Sequence, residues 1–265
     1  MDDFEKETGM TANQKDLFKK TCFGQFLDMP LITKSSRIIS HLVLRSGYYD
    51  EAGASNDSLV MEIGGRPREF TKEHFSLITG LRFSENYAEQ PRYANVVEGG
   101  LYNVTFCNGA LCRKRANIGA VLESSHEWPD ERRVRLLLLH FLYNVLLAAE
   151  KTVNLPCDSY IKMVDDPVVF NNYPWGDVAW NFFLGSIVGF VSKAKTIKEG
   201  KNPKLHLPGF VLPLQIWGYE CIPRFVELEF ASILVADATP LMRRWATKSG
   251  KVLESQLQKI RFQEV

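Results

Sequence analysis

The sequence lacks the short motifs by which many enzymes are recognised. It contains no phosphate-binding loop of the Walker type and no glycine fingerprint of the kind that follows a strand in dinucleotide-binding domains. The Gly-x-Ser-x-Gly motif, which exposes a nucleophilic serine at a sharp turn, is also absent. We therefore expect no catalytic residues and no enzymatic activity. An enzyme of an unrecognised type stays as the least favoured alternative.

Cysteine and histidine are scarce, with five residues of each. An odd number of widely spaced cysteines, mostly among apolar neighbours, is typical of reduced thiols in the cytosol or nucleus: Cys22, Cys107, Cys112, Cys157 and Cys221. Cys107 and Cys112 form the only close pair, and a zinc site would need two more ligands from elsewhere. Nothing marks a cysteine and a histidine as a nucleophile and its base. We expect no metal and no cofactor.

An excess of charge of one sign is also missing. The 32 lysines and arginines are balanced by 31 aspartates and glutamates, which leaves a net charge of +1. A net charge this small creates no overall field that would draw the protein to nucleic acid. Any such binding must come from local clusters of cations.

Long hydrophobic runs are missing as well. The longest, residues 136–149, contains His140 and Asn144 and is shorter than the ~20 apolar residues that a membrane-spanning helix needs. No positively charged and then apolar leader opens the chain. We expect a core helix here, no secretory signal and no membrane partner.

Two apolar blocks are the most prominent feature that is present. In residues 178–191 and 207–223 the apolar side chains fall on nearly every face of a helix, which predicts burial on most sides. Asp177 precedes the first block and is expected to accept hydrogen bonds from free N–H groups at the helix start. Five lysines between the blocks are opposed only by Glu199. The blocks therefore predict a helical core with one basic edge.

The remaining local signals predict mostly helices. They indicate a helix opened by a capping box of Thr11 and Gln14, a helix over 34–48, a hairpin of 59–63 and 66–70 around Gly64 and Gly65, a helix capped by Thr71 and ended by Gly80, a strand over 101–106, a weak helix over 108–124 and a strong helix over 132–151. Residues 224–235 fit either a strand or a helix. The predicted fold class is mainly α with a small β component (α+β), as a single compact helical domain with a short hairpin.

No repeat and no low-complexity linker divides the chain. We predict a disordered N-terminus over residues 1–12 and a single globular domain over residues 13–240. The segment 241–265 is rich in lysine and arginine and is predicted to be a basic C-terminal helix or tail.

Four short clusters of cations are the candidate binding residues. Phosphate binding requires such local density, and arginine can also form paired hydrogen bonds with guanine. A solvated surface that balances the acidic residues is the alternative for each cluster, and convergence on one face would favour nucleic acid. The candidates for DNA contact are Arg113, Lys114, Arg115, Arg132, Arg133, Lys193, Lys195, Lys198, Lys201, Lys204, Arg243, Arg244 and Lys248.

Four segments, in this order along the chain, resemble a plant domain of uncharacterised function. They are residues 18–28 (FKKTCFGQFLD), 73–81 (EHFSLITGL), 173–176 (YPWG) and 209–223 (GFVLPLQIWGYECIP). The resemblance spans residues 15–225. That domain is abundant in Mutator-like transposable elements, often upstream of a Ulp-like cysteine protease, whose His, Asp and Cys signature we do not find in this sequence.

The same domain occurs in VANC-type anti-silencing proteins of VANDAL transposons, which are understood to bind short motifs in their own element and to reverse its DNA methylation. The resemblance implies a nuclear protein that binds a short sequence motif in double-stranded DNA, and it transfers no contact residues. The alternative is a non-catalytic module that recruits chromatin proteins or self-associates. An exposed apolar patch would favour that alternative, whereas a basic groove would favour DNA.

Overall fold

The computed structural model describes residues 2–46, 58–85, 95–106, 115–148, 158–195 and 207–247, together with Leu257 and Ile260. Contacts divide the chain into two compact units. Unit 1 consists of Met1–Asp28 and Leu81–Asp177, and unit 2 consists of Met29–Gly80 and Val178–Val265. The single globular domain over residues 13–240 stays a prediction.

The described residues form helices for the most part. In chain order the elements are α1 (Asp2–Thr8), α2 (Ala12–Lys19), α3 (Ser36–Ser46), β1 (Ser58–Ile63), β2 (Arg66–Thr71), α4 (Lys72–Thr79), α5 (Arg115–Glu123), α6 (Asp130–Phe141), α7 (Asp158–Met163), α8 (Pro167–Asn172), α9 (Trp175–Lys195), α10 (Leu212–Cys221), α11 (Arg224–Glu227), β3 (Ala231–Ile233) and β4 (Trp245–Thr247). Short 3-10 helices occur at Gly24–Phe26 and Leu241–Arg243, and π-helical turns at Leu101–Thr105 and Leu142–Leu146.

The strands form two small antiparallel sheets of two strands each, β1 with β2 and β3 with β4. The predicted fold class, mainly α with a small β component, is confirmed. Of the helices among the described residues, none combines the length and the apolar character that crossing a membrane would require.

In unit 1, helix α6 supplies the centre of the apolar core. Its residues from Leu136 to Phe141 are buried, which confirms a core helix over this part of the predicted run. The ring of Phe141 lies 4.9 to 6.1 Å, centroid to centroid, from four other rings: Phe4, Phe18, Phe23 and Phe26. Such tilted and edge-on pairs add to the free energy gained by burial alone.

The N-terminal residues are helical where we predicted disorder. Phe4, on α1, is only 7% exposed and packs on Phe18 and Phe141. Burial of one aromatic ring stabilises the segment by roughly 1.5–3 kcal/mol, which explains why it is fixed in place. The capping box predicted for Thr11 and Gln14 is present at the start of α2.

In unit 2, the first hairpin and the helix after it follow the sequence signals closely. Gly64 and Gly65 have φ of 66° and 68°, as a two-residue hairpin turn requires. Thr71 caps α4, and Gly80 ends it in the left-handed conformation with φ of 69°. Helix α3 packs on β1, and its buried residues are Ile38, Ile39, Leu42 and Val43.

Aromatic rings fill the core of unit 2. Phe70 has its ring centroid 5.6 to 6.4 Å from four others: Phe75, Trp180, Phe183 and Trp217. Helix α10 is buried from Leu212 to Tyr219, as predicted. Helix α9, in contrast, is not buried on most sides, since it has an exposed face on which Val188 is 48% exposed.

The segment after Pro223, where strand and helix were both open, contains one of each. Helix α11 is a single turn, and β3 follows it and pairs with β4. Residues 241–247, predicted to begin a basic helix or tail, instead form a 3-10 turn and strand β4, in which Met242 and Trp245 are buried. Apart from Leu257 and Ile260, the remainder of that segment lies outside the described residues.

Candidate nucleic-acid interface

Most of the predicted DNA-contacting residues lie outside the described part of the chain or have no described side chain. The first group is Arg113, Lys114, Lys198, Lys201, Lys204 and Lys248. Arg115 begins α5, and Lys193 and Lys195 lie at the end of α9, in positions given by the backbone alone. Whether those clusters converge stays a prediction.

Arg133 is a structural residue of unit 1, so its assignment to DNA contact is corrected. Its side chain is 1% exposed, and its guanidinium lies among acceptors from three segments. Nη2 donates to the Thr8 carbonyl at 2.7 Å, Nη1 donates to Gln14 Oε1 at 2.6 Å, and Nε donates to Ser125 Oγ at 3.3 Å. A group held in this way cannot reach a nucleic acid without local unfolding.

The surroundings of Arg133 explain why it is tolerated without an acid in direct contact. Thr8 ends α1, so its carbonyl belongs to the negative end of a helix dipole. Burial lowers the pKa of Arg133, and the charge of Asp130 partly opposes this shift. Asp130 accepts hydrogen bonds from the amides of Asn13 and Gln14, which, together with the charge of Arg133, keep its pKa below the ordinary value.

Arg132, the preceding residue, is only partly buried and stays a candidate. Its guanidinium carbon lies 4.7 Å from the centroid of the Trp128 ring, and its Nη2 donates to Thr105 Oγ1 at 3.0 Å. Stacking on an aromatic ring fixes the plane of a guanidinium while leaving it charged. Adjacent arginines therefore have different surroundings, because successive residues of a helix point about 100° apart.

Two more cations accompany Arg132 around the π-helical turn Leu101–Thr105. Arg135, one helical turn further along α6, lies 4.0 Å from the Asp165 carboxylate and is 31% exposed. Lys162, on α7, has its ammonium nitrogen 4.8 Å from the centroid of the Tyr102 ring. We call Arg132, Arg135 and Lys162 the turn cluster. All three belong to unit 1. Arg132 and Lys162 contact residues of the turn, and Arg135 lies near Asp165, whose carboxylate holds the turn in place.

The turn itself corrects the predicted strand over 101–106. Asp165 is buried, and its carboxylate accepts hydrogen bonds from the N–H groups of Leu101 at 2.8 Å and Tyr102 at 3.1 Å. A carboxylate at the first N–H groups of a helical turn satisfies donors that the turn leaves open. The apolar pattern of the segment concealed this anchor, which lies more than sixty residues further along the chain.

Gly100 makes this close approach possible. A Cβ atom at position 100 would lie 2.4 Å from Asp165 Oδ2 and 2.9 Å from the Val97 carbonyl oxygen, which no packing arrangement allows. Asp166, next to Asp165, caps α8 by accepting from the N–H groups of Val168 and Val169.

The turn cluster carries a net positive charge. The carboxylate next to these three cations is that of Asp165, whose side chain has no exposed surface. Among the described residues, no acidic group lies within ion-pair distance of Arg132 or Lys162. Both therefore keep an uncompensated charge that can attract an anion. Sequence reasoning missed Lys162 because a single lysine in a short helix gives no signal of clustering.

In unit 2, Arg243 and Arg244 differ in their exposure. Arg244 lies 3.5 Å from the Glu220 carboxylate and 5.7 Å from the centroid of the Trp245 ring. Trp245 also donates to Glu220 at 2.7 Å through its indole N–H. Arg243 is exposed at the end of the 3-10 helix Leu241–Arg243. Arg244 is thus partly neutralised by Glu220, and Arg243 stays a candidate contact.

Asp177 and two cysteines, Cys22 and Cys221, are other described residues with candidate side-chain chemistry. Asp177 accepts from the backbone N–H of Ser84 at 2.8 Å and from its hydroxyl at 2.6 Å, rather than from the start of α9 as predicted. Burial raises the pKa of the Cys22 thiol to about 12 and that of Cys221 to about 11. Both thiols are therefore protonated and poorly nucleophilic at neutral pH. The described residues contain no cluster of three or more potential metal ligands.

Comparison with known proteins gives one family. The family model described as "Domain of unknown function (DUF1985)" matches residues 52–186, slightly more than half of the chain. The matched span includes the turn cluster and its anchor Asp165. No curated protein and no solved structure matches the chain.

Proposed function

The chain belongs to the family described as a domain of unknown function (DUF1985), and we propose that it is a DNA-binding module that contacts phosphate through the turn cluster. The observation that carries this proposal is the meeting of three cations around one turn, with a single buried carboxylate among them. Cations gathered in this way release counterions from nucleic acid when they neutralise its phosphates, which supplies affinity without any base contact.

Specificity for a short motif would come from arginine. The guanidinium carbon of Arg132 lies over the Trp128 ring, and its Nη2 donates a hydrogen bond to Thr105 Oγ1. A guanidinium whose plane is fixed loses little conformational freedom when it forms paired hydrogen bonds with guanine. Arg135 and Lys162 would then position the duplex by contacting phosphates, which carry no sequence information.

At a finer level, we propose that the module belongs to a plant transposon-encoded anti-silencing protein. Its role would be to bind short motifs of its own element in the nucleus and to counteract DNA methylation there. The support is the resemblance of residues 18–28, 73–81, 173–176 and 209–223 to the transposon-associated domain. The proposal includes no catalytic step and no cofactor.

One observation favours the alternative, a module that binds chromatin proteins. In unit 2, three consecutive apolar residues at the end of β3 are exposed by 45% to 58%: Ile233, Leu234 and Val235. Exposed apolar groups in sequence are typical of surfaces that bind another protein. A protein partner would not require the turn cluster.

The test is DNA binding by the full chain over a salt series, measured by fluorescence anisotropy. We expect binding to a duplex taken from the element, and a linear fall of the logarithm of affinity with the logarithm of salt concentration. The variant Arg132→Gln/Lys162→Gln should weaken binding about tenfold or more and reduce the magnitude of the salt slope by about one, because it removes the base contact of Arg132 and the phosphate contact of Lys162.

The matched control is Lys19→Gln/Lys20→Gln, which removes the same charge from exposed residues at the end of α2. It should change affinity by less than about threefold, because surface charges away from the contact act only through screened, long-range forces. Equal losses in both variants would contradict the assignment to the turn cluster. No binding by the unmodified chain at low salt would favour the protein-binding alternative.

A further inference from the structure

Strand β2 presents a second group of unneutralised cations, in unit 2. Residues 65–69 are all exposed, and they include Arg66 and Arg68 on either side of Pro67. No acidic residue among those described lies within ion-pair distance of either arginine. Two arginines are too few to stand out as a cluster in the sequence.

The two arginines share one face of the hairpin. Arg66 is paired with Ile63 and Arg68 with Met61, and directly opposed residues of an antiparallel pair point to the same side. Ile63 and Met61 are 1% and 0% exposed. The aliphatic stems of the arginines therefore extend past a buried apolar surface, while their guanidinium groups reach solvent. Successive residues on one face of a strand are about 6.7 Å apart.

Acidic residues of the hairpin occupy its other face. Glu62 is paired with Pro67, and Glu69 with Val60, one position out of phase with the arginines. Both glutamates are exposed. The alternation of the strands thus places the arginines and these glutamates on opposite faces of the hairpin.

The outer edge of β2 is poorly suited to pairing with another strand. Because Ile63 and Arg66 close a two-residue turn, the backbone groups of residues 67, 69 and 71 point away from β1. Pro67 has no N–H to donate, and the N–H of Thr71 already donates to His74 Nδ1 at 3.2 Å. Only the N–H of Glu69 is left on this edge, and its side chain would repel an acidic peptide.

We propose that Arg66 and Arg68 form a second nucleic-acid contact, which binds backbone phosphates through side chains alone. This inference rests on the proposed DNA binding and adds a contact from unit 2 to that of the turn cluster. Phosphates require only donor side chains, whereas an acidic peptide that added to the sheet as a strand would also require backbone pairing, for which Pro67 offers no donor. Contacts with phosphates would add affinity for any duplex sequence.

The experiment compares Arg66→Gln/Arg68→Gln with Glu62→Gln/Glu69→Gln in the full chain, by fluorescence anisotropy with a random-sequence duplex over a salt series. The arginine variant should bind about tenfold or more weakly, with a salt slope reduced in magnitude by about two. The glutamate variant alters the same strands on the other face and should bind at least as tightly as the unmodified chain. It therefore serves as the control for hairpin folding.

The outcomes separate this inference from the proposed function. Unchanged DNA affinity in the arginine variant, with a loss in Arg132→Gln/Lys162→Gln, would overturn the hairpin contact and leave the turn cluster supported. Failure of the unmodified chain to bind the duplex at low salt would overturn both. Binding of a polyglutamate peptide that the arginine variant loses, without an effect on DNA, would assign the edge to an acidic protein instead.

Discussion

The two units bury different kinds of side chain. In unit 1 the buried polar residues include four that can carry charge, namely Arg133, His140, Asp165 and Asp177. In unit 2 the buried polar residues among those described are all neutral, namely Ser58, Thr79 and Gln215. Aromatic clusters, around Phe141 in unit 1 and around Phe70 in unit 2, contribute to the cores of both units.

The difference between the units follows from the backbone groups that lack a partner in a helix or sheet. Three irregular segments of unit 1 have N–H or C=O groups without regular partners, and each is met by a buried side chain: the end of α1 by Arg133, Ser84 by Asp177, and Leu101 with Tyr102 by Asp165. Buried backbone groups must find such partners. In unit 2, Thr33 and Ser35 are met in the same way by the neutral amide of Gln215, whereas the β1–β2 hairpin and the capped helix α4 pair their own backbone groups.

The largest expected effect is that of Arg133→Met, which keeps a long unbranched side chain but removes every donor. The buried Thr8 carbonyl would lose the donor that Arg133 supplies, and Gln14 Oε1 and Ser125 Oγ would each lose one of their hydrogen bonds. We expect the free energy of unfolding to fall by about 3 kcal/mol. Urea denaturation followed by circular dichroism measures this change.

The control is Arg132→Met, in the next position of the same helix. Because Arg132 is only partly buried and its contacts are with Trp128 and Thr105, its replacement should lower the free energy of unfolding by less than about 1 kcal/mol. Similar losses at positions 132 and 133 would mean that burial of charge does not distinguish these arginines.

The two units also differ in how well the sequence predicts their structure. In unit 2 the signals are local: Gly64 and Gly65 set the hairpin turn, and Thr71 and Gly80 bound α4, all within a few residues of what they determine. Local chemistry favours such features through the residues of the turn or cap themselves. They were predicted correctly from the sequence.

In unit 1 the deciding contacts are distant in the chain. Arg133 meets Thr8 across 125 positions, and Asp165 meets Leu101 across 64. No local pattern distinguishes Arg133 from Arg132, and the apolar residues of 101–106 fit a strand as well as a turn. For the candidate site, the sequence predicted that clustered cations bind DNA, with Arg132 among them. The roles of Lys162 and Asp165 became visible only in the folded structure.

A smaller effect is expected for Asp165→Asn. An amide of the same shape has one acceptor oxygen in place of two, so the N–H of Leu101 or Tyr102 loses its partner. We expect a loss of about 2 kcal/mol in the free energy of unfolding. Amide hydrogen exchange should also accelerate in Leu101–Thr105 more than in the rest of unit 1.

The matched substitution Asp166→Asn applies the same chemistry one residue later. Asp166 caps α8, and asparagine is about as good an N-cap as aspartate. Its effect should be below about 0.5 kcal/mol, with no change in exchange at the turn. If Asp165→Asn proved equally mild, a buried charge would not be what holds the turn in place.

The smallest effect is expected in unit 2, for Leu214→Met. Leu214 is fully buried in α10, and methionine fills nearly the same volume without adding a polar group. A core held by apolar contact tolerates such exchanges, so the free energy of unfolding should change by less than about 1.5 kcal/mol. Urea denaturation of this variant beside Asp165→Asn compares one conservative change in each unit. A greater loss in Leu214→Met than in Asp165→Asn would show that close packing in unit 2 is the stricter requirement, and the contrast between the units would then be reversed.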